Sequence, residues 1–176
     1  ALVTLKDKNG QPTPALIQTT KTGEIFVLNR KTGEALYDIE EKPVPTEPHA
    51  VGEHISPTQP YSVEMPSIGN DDLTEKSMWG VSMFDQLWCR IAFKKANYQG
   101  LFTPPTEKPY IEWPSLLGGM NWGGVSVDES TGMLFVNDMR MPLLMSLKTK
   151  EEAAKYNVST DEVPGFMGTI RPQIGG

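Results

Sequence analysis

Over residues 1–40, short apolar runs alternate with turn residues. Ala1-Leu2-Val3-Thr4-Leu5 has strand character. Lys6-Asp7-Lys8-Asn9-Gly10 carries the Asn-Gly pair of a tight turn, and Ala15-Leu16-Ile17-Gln18 begins the next run. Thr22-Gly23 and Thr32-Gly33 then bracket Ile25-Phe26-Val27-Leu28, a β-branched and aromatic segment suited to a buried strand. A last short strand is expected at Ala35-Leu36-Tyr37. This pattern predicts an antiparallel meander, the unit of a propeller blade or a sandwich.

The pattern changes at residue 41. Residues 41–72 hold Pro43, Pro45, Pro48, Pro57 and Pro60 with little apolar periodicity, and are expected to be one long irregular excursion. Residues 82–96 predict a helix. Phe84, Leu87, Trp88 and Ile91 follow i, i+3, i+4, i+7, Ser82 can cap the start, and Lys94 and Lys95 suit the last turn. Residues 101–117 return to proline-rich loop. Gly118-Gly119-Met120-Asn121-Trp122-Gly123-Gly124 follows, where the glycines imply a close approach to the backbone.

Next, Thr131-Gly132-Met133-Leu134-Phe135-Val136 echoes Thr22-Gly23-Glu24-Ile25-Phe26-Val27, which suggests two units of a repeat architecture. The expected layout is all-β with a few helices in insertions. It has a blade at 1–40, an inter-blade insertion at 41–120, a second blade at 121–147, and an insertion or tail at 148–176. Within the last segment, Thr149 and Glu152 can form a capping box for a short helix at 148–157. Asn157-Val158-Ser159 matches a glycosylation pattern.

Composition narrows the function classes. The 176 residues carry a formal net charge of −6 without a basic run, which argues against a nucleic-acid partner. A single cysteine, Cys89, excludes an internal disulfide and is expected to be a buried, inert thiol. His49 and His54 are expected to be surface histidines on a loop rather than metal ligands. No apolar run approaches the roughly 20 residues of a membrane span. The chain opens without an initiator methionine, so it is expected to be a fragment, with any anchor or export signal elsewhere. No hydrolase elbow, zinc motif or phosphate loop is present. The candidate polar groups lie at strand edges: Lys21 beside a Thr-Gly turn, Asn121 with Trp122 in the glycine nest, and Asn137 after the repeated strand. Each also has an ordinary structural reading: Lys21 as a solvated charge, the asparagines as turn formers and Trp122 as core.

The ordered set Lys21-Thr22-Gly23-Glu24-Ile25-Phe26-Val27-Leu28-Asn29-Arg30, Ser56-Pro57-Thr58-Gln59-Pro60, Met78-Trp79-Gly80, Phe84-Asp85-Gln86-Leu87, Phe102-Thr103-Pro104-Pro105 and Trp122-Gly123-Gly124-Val125-Ser126-Val127-Asp128 resembles one family across nearly the whole chain. It is that of the membrane-bound, pyrroloquinoline-quinone (PQQ) dehydrogenases of the glucose, quinate and shikimate group. The resemblance implies part of an eight-bladed β-propeller on the periplasmic face of a bacterial inner membrane, anchored by an N-terminal segment. It implies PQQ as cofactor, calcium or magnesium held mostly by ligands outside this chain, a polyol or sugar substrate, and ubiquinone as acceptor. By the same resemblance Lys21, Asn121, Trp122 and Asn137 line the cofactor site, Lys21 meeting the quinone oxygens. The family's catalytic aspartate would lie upstream of residue 1, so this chain alone is expected to be inactive. Met120-Asn121-Trp122 replaces the Phe-Glu-Trp of glucose-type members, which favours the quinate/shikimate branch. The competing readings are a cofactor-free propeller scaffold for protein partners and a carbohydrate-binding β module.

Overall fold

The computed structural model describes residues 1–69, 71–120, 123–149, 151–152 and 155. In chain order the elements are β1 (Leu2–Lys6), β2 (Pro12–Thr19), β3 (Ile25–Asn29), β4 (Ile39–Pro43), β5 (Thr58–Ser62), a short 3-10 turn (Glu75–Ser77), α1 (Met83–Lys95), β6 (Tyr110–Glu112), β7 (Val125–Asp128), β8 (Met133–Val136) and β9 (Leu143–Met145). They fall into two compact units. One comprises Ala1–Val44, Ser56–Asp71 and Trp113–Pro142; the other comprises Pro45–Ile55, Asp72–Glu112 and the described residues from Leu143 on.

In the first unit, β1, β2 and β3 form the expected antiparallel meander, with Val3 opposite Ala15 and Ile17 opposite Val27. Strand alternation sends Val3, Ala15, Ile17, Ile25 and Val27 to one side, where they form a core with Met120. Ile25 is only 1 % exposed, and burying such a side chain contributes about 1.5–3 kcal/mol. The β7–β8 hairpin supplies Val125, Val127, Leu134 and Val136 to the same core. The repeat read from Thr131 to Val136 thus has a structural counterpart. Leu134 and Val136 turn inward as Ile25 and Val27 do, and Phe135 is exposed.

Two expectations for this unit need correction. Ala35-Leu36-Tyr37 is not a full fourth strand: Ala35 makes a single bridge to Leu28, and Leu36 N donates to Val27 O at 2.8 Å. The stretch after residue 41 is not wholly irregular either. β4 pairs with β5 in antiparallel register, Ile39 opposite Ser62 and Glu41 opposite Pro60. In a sheet of two strands every strand is an edge, so Pro43 and Pro60 are tolerated without breaking an inner ladder.

In the second unit, β6 pairs with β9. The predicted helix is present as α1. Ser82 Oγ accepts from Asp85 N at 3.2 Å, and the Asp85 carboxylate accepts from Ser82 N at 3.1 Å, a reciprocal capping box. Its orientation is the reverse of what the apolar stripe suggests. Phe84, Leu87, Trp88 and Ile91 are exposed, whereas Cys89, Arg90, Ala92 and Phe93 are half-buried. The inward side is fixed by Arg90, which grips Glu75 through both Nε and Nη2 at 3.0–3.1 Å, and by Phe93, whose ring lies 5.3 Å from that of Tyr98. Gly80 lets the preceding chain pass directly over the Asp85–Gln86 backbone. Cys89 is therefore half-buried rather than enclosed. His49 is also half-buried, its Nδ1 2.7 Å from Thr46 O; His54 is exposed. Thr149 and Glu152 make the expected capping box, while most of the 148–157 helix and Asn157 lie outside the described residues.

Candidate functional site

Lys21 occupies the turn between β2 and β3. That turn is closed by Gly23 N donating to Thr20 O at 3.1 Å, with Gly23 at φ +86°. It is clamped from two directions. On one side Ile68 N donates to Gly23 O at 2.9 Å, and any side chain at Gly23 would strike the Ile68 carbonyl. On the other, Gly119 lies so close to Lys21 that a side chain there would collide with the Lys21 carbonyl oxygen. Gly119 exchanges backbone hydrogen bonds with Met139, at 2.7 and 3.1 Å. Lys21 Nζ donates to Leu116 O at 2.5 Å, so the exposed ammonium is held against the loop that enters the glycine nest.

Asn137 stands two residues before Met139 and is exposed. A Cβ at Gly123 would sit 3.0 Å from Asn137 Nδ2, so this glycine keeps room beside the amide. The Gly119–Met139 bridge therefore draws the Lys21 turn, the glycine-rich loop and the segment holding Asn137 into one region of the first unit. Close backbone approach is confirmed as the reason for glycine at 119. Asn121 and Trp122, the remaining predicted site residues, lie outside the described residues.

Two supporting carboxylates were missed by sequence reasoning. Glu24 is 1 % exposed; its Oε2 accepts from Ser62 N at 2.8 Å and its Oε1 from Ser67 Oγ at 2.7 Å. It ties the end of β5 and the segment after it to the turn that holds Lys21 and leads into β3. The Thr-Gly-Glu triplet recurs at Thr32-Gly33-Glu34, where Glu34 is exposed, so the triplet itself carries no signal of burial. Asp138 packs its carboxylate over Gly69 and accepts from Arg140 Nε at 2.7 Å. That bond, with the charge of Asp138, raises the Arg140 pKa. Among the described residues, no three His, Cys, Asp or Glu side chains come together to hold a metal.

Residues 1–175 match the PQQ family described as glucose/ethanol/alcohol dehydrogenase, beta-propeller domain, and the chain belongs to that family. Its relatives include the glycerol dehydrogenase large subunit of Gluconobacter oxydans, 43 % identical over 166 residues, covering 94 % of this chain and 22 % of the relative. The quinate/shikimate dehydrogenase (quinone) of Acinetobacter baylyi is 46 % identical over 172 residues, covering 97 % and 21 %. The quinoprotein glucose dehydrogenase of Escherichia coli is 43 % identical over 168 residues, covering 95 % and 21 %. The chain thus spans about a fifth of the length of these relatives. No solved structure matches it significantly.

The donors at this site suit the family's cofactor, a planar anionic quinone. Lys21 offers an exposed cation and Asn137 an exposed amide, and glycines 119 and 123 remove the side chains that would crowd them. No helix among the described residues is long and apolar enough to cross a membrane.

Proposed function

We propose that this chain supplies one wall of the cofactor site of an eight-bladed quinoprotein dehydrogenase. Residues 1–40 and 121–147 are blade segments in this reading, and 41–120 is the insertion between them. The enzyme oxidises a polyol of the quinate or shikimate type, or glucose, and passes electrons to ubiquinone at the periplasmic face of the inner membrane. Bound PQQ supplies the two-electron acceptor, with calcium or magnesium held mostly by residues outside this chain.

The observation that carries the reading is the fixed position of Lys21. Its ammonium is preset by Leu116 O and by a turn clamped on both sides, and it stands in the region that holds Asn137. A cation placed in advance stabilises negative charge without reorganising at the moment of reaction. Lys21 would orient the quinone oxygens, and Asn137 would hold the cofactor rim, joined by Asn121 and Trp122.

The test is Lys21→Ala in the full-length protein, assayed with added PQQ on quinate, shikimate and glucose with a ubiquinone analogue as acceptor. Turnover should fall by about 100-fold or more, the scale for losing one preorganised charge-stabilising donor, and Lys21→Arg should recover part of it. Unchanged turnover would remove Lys21 from the site. Activity on none of the substrates, together with no PQQ binding, would favour a cofactor-free scaffold.

A further inference from the structure

Glu24 leads from the Lys21 turn into β3 with its carboxylate enclosed. Burying a carboxylate costs folding free energy unless hydrogen bonds offset the lost hydration. Two of those bonds come from one loop. Oε2 accepts from Ser62 N at 2.8 Å and Oε1 from Ser67 Oγ at 2.7 Å, so residues 62–67 are fastened at both ends to a single side chain. The next residue is Ile68. Its N–H donates to Gly23 O at 2.9 Å, and its carbonyl lies where a side chain at Gly23 would have to go.

The turn does not need this carboxylate in order to form. Thr20 N donates to Glu24 O at 3.0 Å, and Thr20 Oγ1 accepts from Glu24 N at 3.1 Å, which closes the turn through Thr20. The second Thr-Gly-Glu triplet makes the comparison. Gly33 there has φ +81° and its N–H donates to Asn29 O at 2.8 Å, yet Glu34 is exposed and nothing lies within 4 Å of a Cβ at Gly33. The same triplet thus builds a glycine turn with a solvated glutamate and an open flank. What the buried Glu24 adds at the first turn is the loop held against it.

That loop is one of the two flanks between which Lys21 is fixed, the other being Gly119. Met65 and Ile68 pack against the core, so the loop stays attached to the unit without Glu24. Its placement against Gly23 is what the carboxylate sets. We propose that Glu24 is a positioning residue for the dehydrogenase reaction, acting through residues 62–68 and the Gly23 clamp to hold Lys21 where it meets the quinone oxygens. This inference rests on the reading of Lys21 as a cofactor contact.

It is tested in the full-length protein by a double-mutant cycle and by amide exchange. With PQQ saturating, Glu24→Ala should lower kcat by on the order of tenfold to a hundredfold, the scale of a displacement near 1 Å. Glu24→Gln should recover most of the loss, because its amide oxygen can accept from Ser62 N while its NH2 donates to the Ser67 hydroxyl. In a Lys21→Ala background, Glu24→Ala should cost less than about twofold more, since its effect runs through Lys21. Unchanged kcat in Glu24→Ala, or losses that multiply with those of Lys21→Ala, overturns the inference and leaves Lys21 at the site. Unchanged turnover in Lys21→Ala removes the cofactor reading and the inference with it. Deuterium exchange of the PQQ-free protein supplies a readout apart from turnover. In Glu24→Ala, peptides covering residues 20–28 and 60–69 should exchange at least about fivefold faster, and a peptide covering α1 should be unchanged. Faster exchange at 60–69 alone would make Glu24 a loop anchor that does not reach Lys21, and would overturn the proposal. Ser67→Ala removes one of the two bonds at an exposed position. It should give the same exchange pattern and the same dependence on Lys21 at smaller amplitude, so the test stands even where Glu24→Ala fails to fold.

Discussion

Gly119 lies at φ +66° against the backbone of Lys21, so an alanine there meets two separate penalties. One is the left-handed conformation, which costs a non-glycine residue about 1–3 kcal/mol. The other is the collision with the Lys21 carbonyl. Gly10 provides the comparison: its φ is +78°, yet a Cβ there would meet nothing within 4 Å. Gly10→Ala should therefore report the conformational penalty alone, while Gly119→Ala should be more destabilising by at least about 1 kcal/mol and should also lower turnover by shifting Lys21. Denaturant unfolding of the two variants in the full-length protein checks the first part, and the assay used for Lys21→Ala checks the second. Equal destabilisation would mean that the approach to Lys21 yields without cost. The glycine nest was legible in the sequence as a place of close approach. What approaches it was not, because Lys21 lies 98 residues away along the chain.

The meander, the capped helix and the repeated hairpin could all be read from local pattern, since each depends on turn chemistry and on a period of two or 3.6 residues. Pairing of β4 with β5 could not, because β4 reads Ile-Glu-Glu-Lys-Pro and is exposed throughout. The inversion of α1 was hidden for a related reason: the apolar stripe marks a face that meets something, but not whether that partner is the unit's own core. The second hairpin owes its turn to Asp128, which accepts from Ser130 N at 2.9 Å, Ser130 Oγ at 2.7 Å and Thr131 Oγ1 at 2.7 Å. A similar turn follows β3, where Asn29 Oδ1 accepts from Lys31 N at 2.9 Å, and both turns end on a glycine whose N–H returns to the first residue's carbonyl at 2.8 Å. The hydroxyls of Ser130 and Thr131 lower the Asp128 pKa from 3.8 to about 2. A depressed folded-state pKa stabilises above the unfolded value, and that contribution is lost as pH falls through the folded value. The turn should therefore hold above about pH 4 and loosen progressively towards pH 2. Carboxyl carbon NMR should place the Asp128 midpoint near 2; a midpoint near 3.8 would show that the hydroxyl bonds are not kept in solution.

The sheets of the described chain contain three, two, two and two strands. Paired strands without further neighbours are marginal in water and present unpaired edges. In the first unit β7 and β8 pair only with each other, and their outward side shows Met133 at 52 % and Phe135 at 55 % exposure. A propeller closes each blade against its neighbours, so these side chains are suited to a flanking blade that the described residues do not supply. Expressed alone, the chain should self-associate through this hairpin, and sedimentation velocity should show a boundary that moves with concentration. Met133→Lys/Phe135→Lys should shift it towards monomer, because like charges meet across the new contact. Phe84→Glu/Leu87→Glu should leave the association unchanged, because these side chains are not part of the hairpin. A concentration-independent monomer would mean that the exposed hairpin face needs no neighbour. Association abolished by the α1 variant instead would assign that helix to a protein contact and would overturn the blade-edge argument.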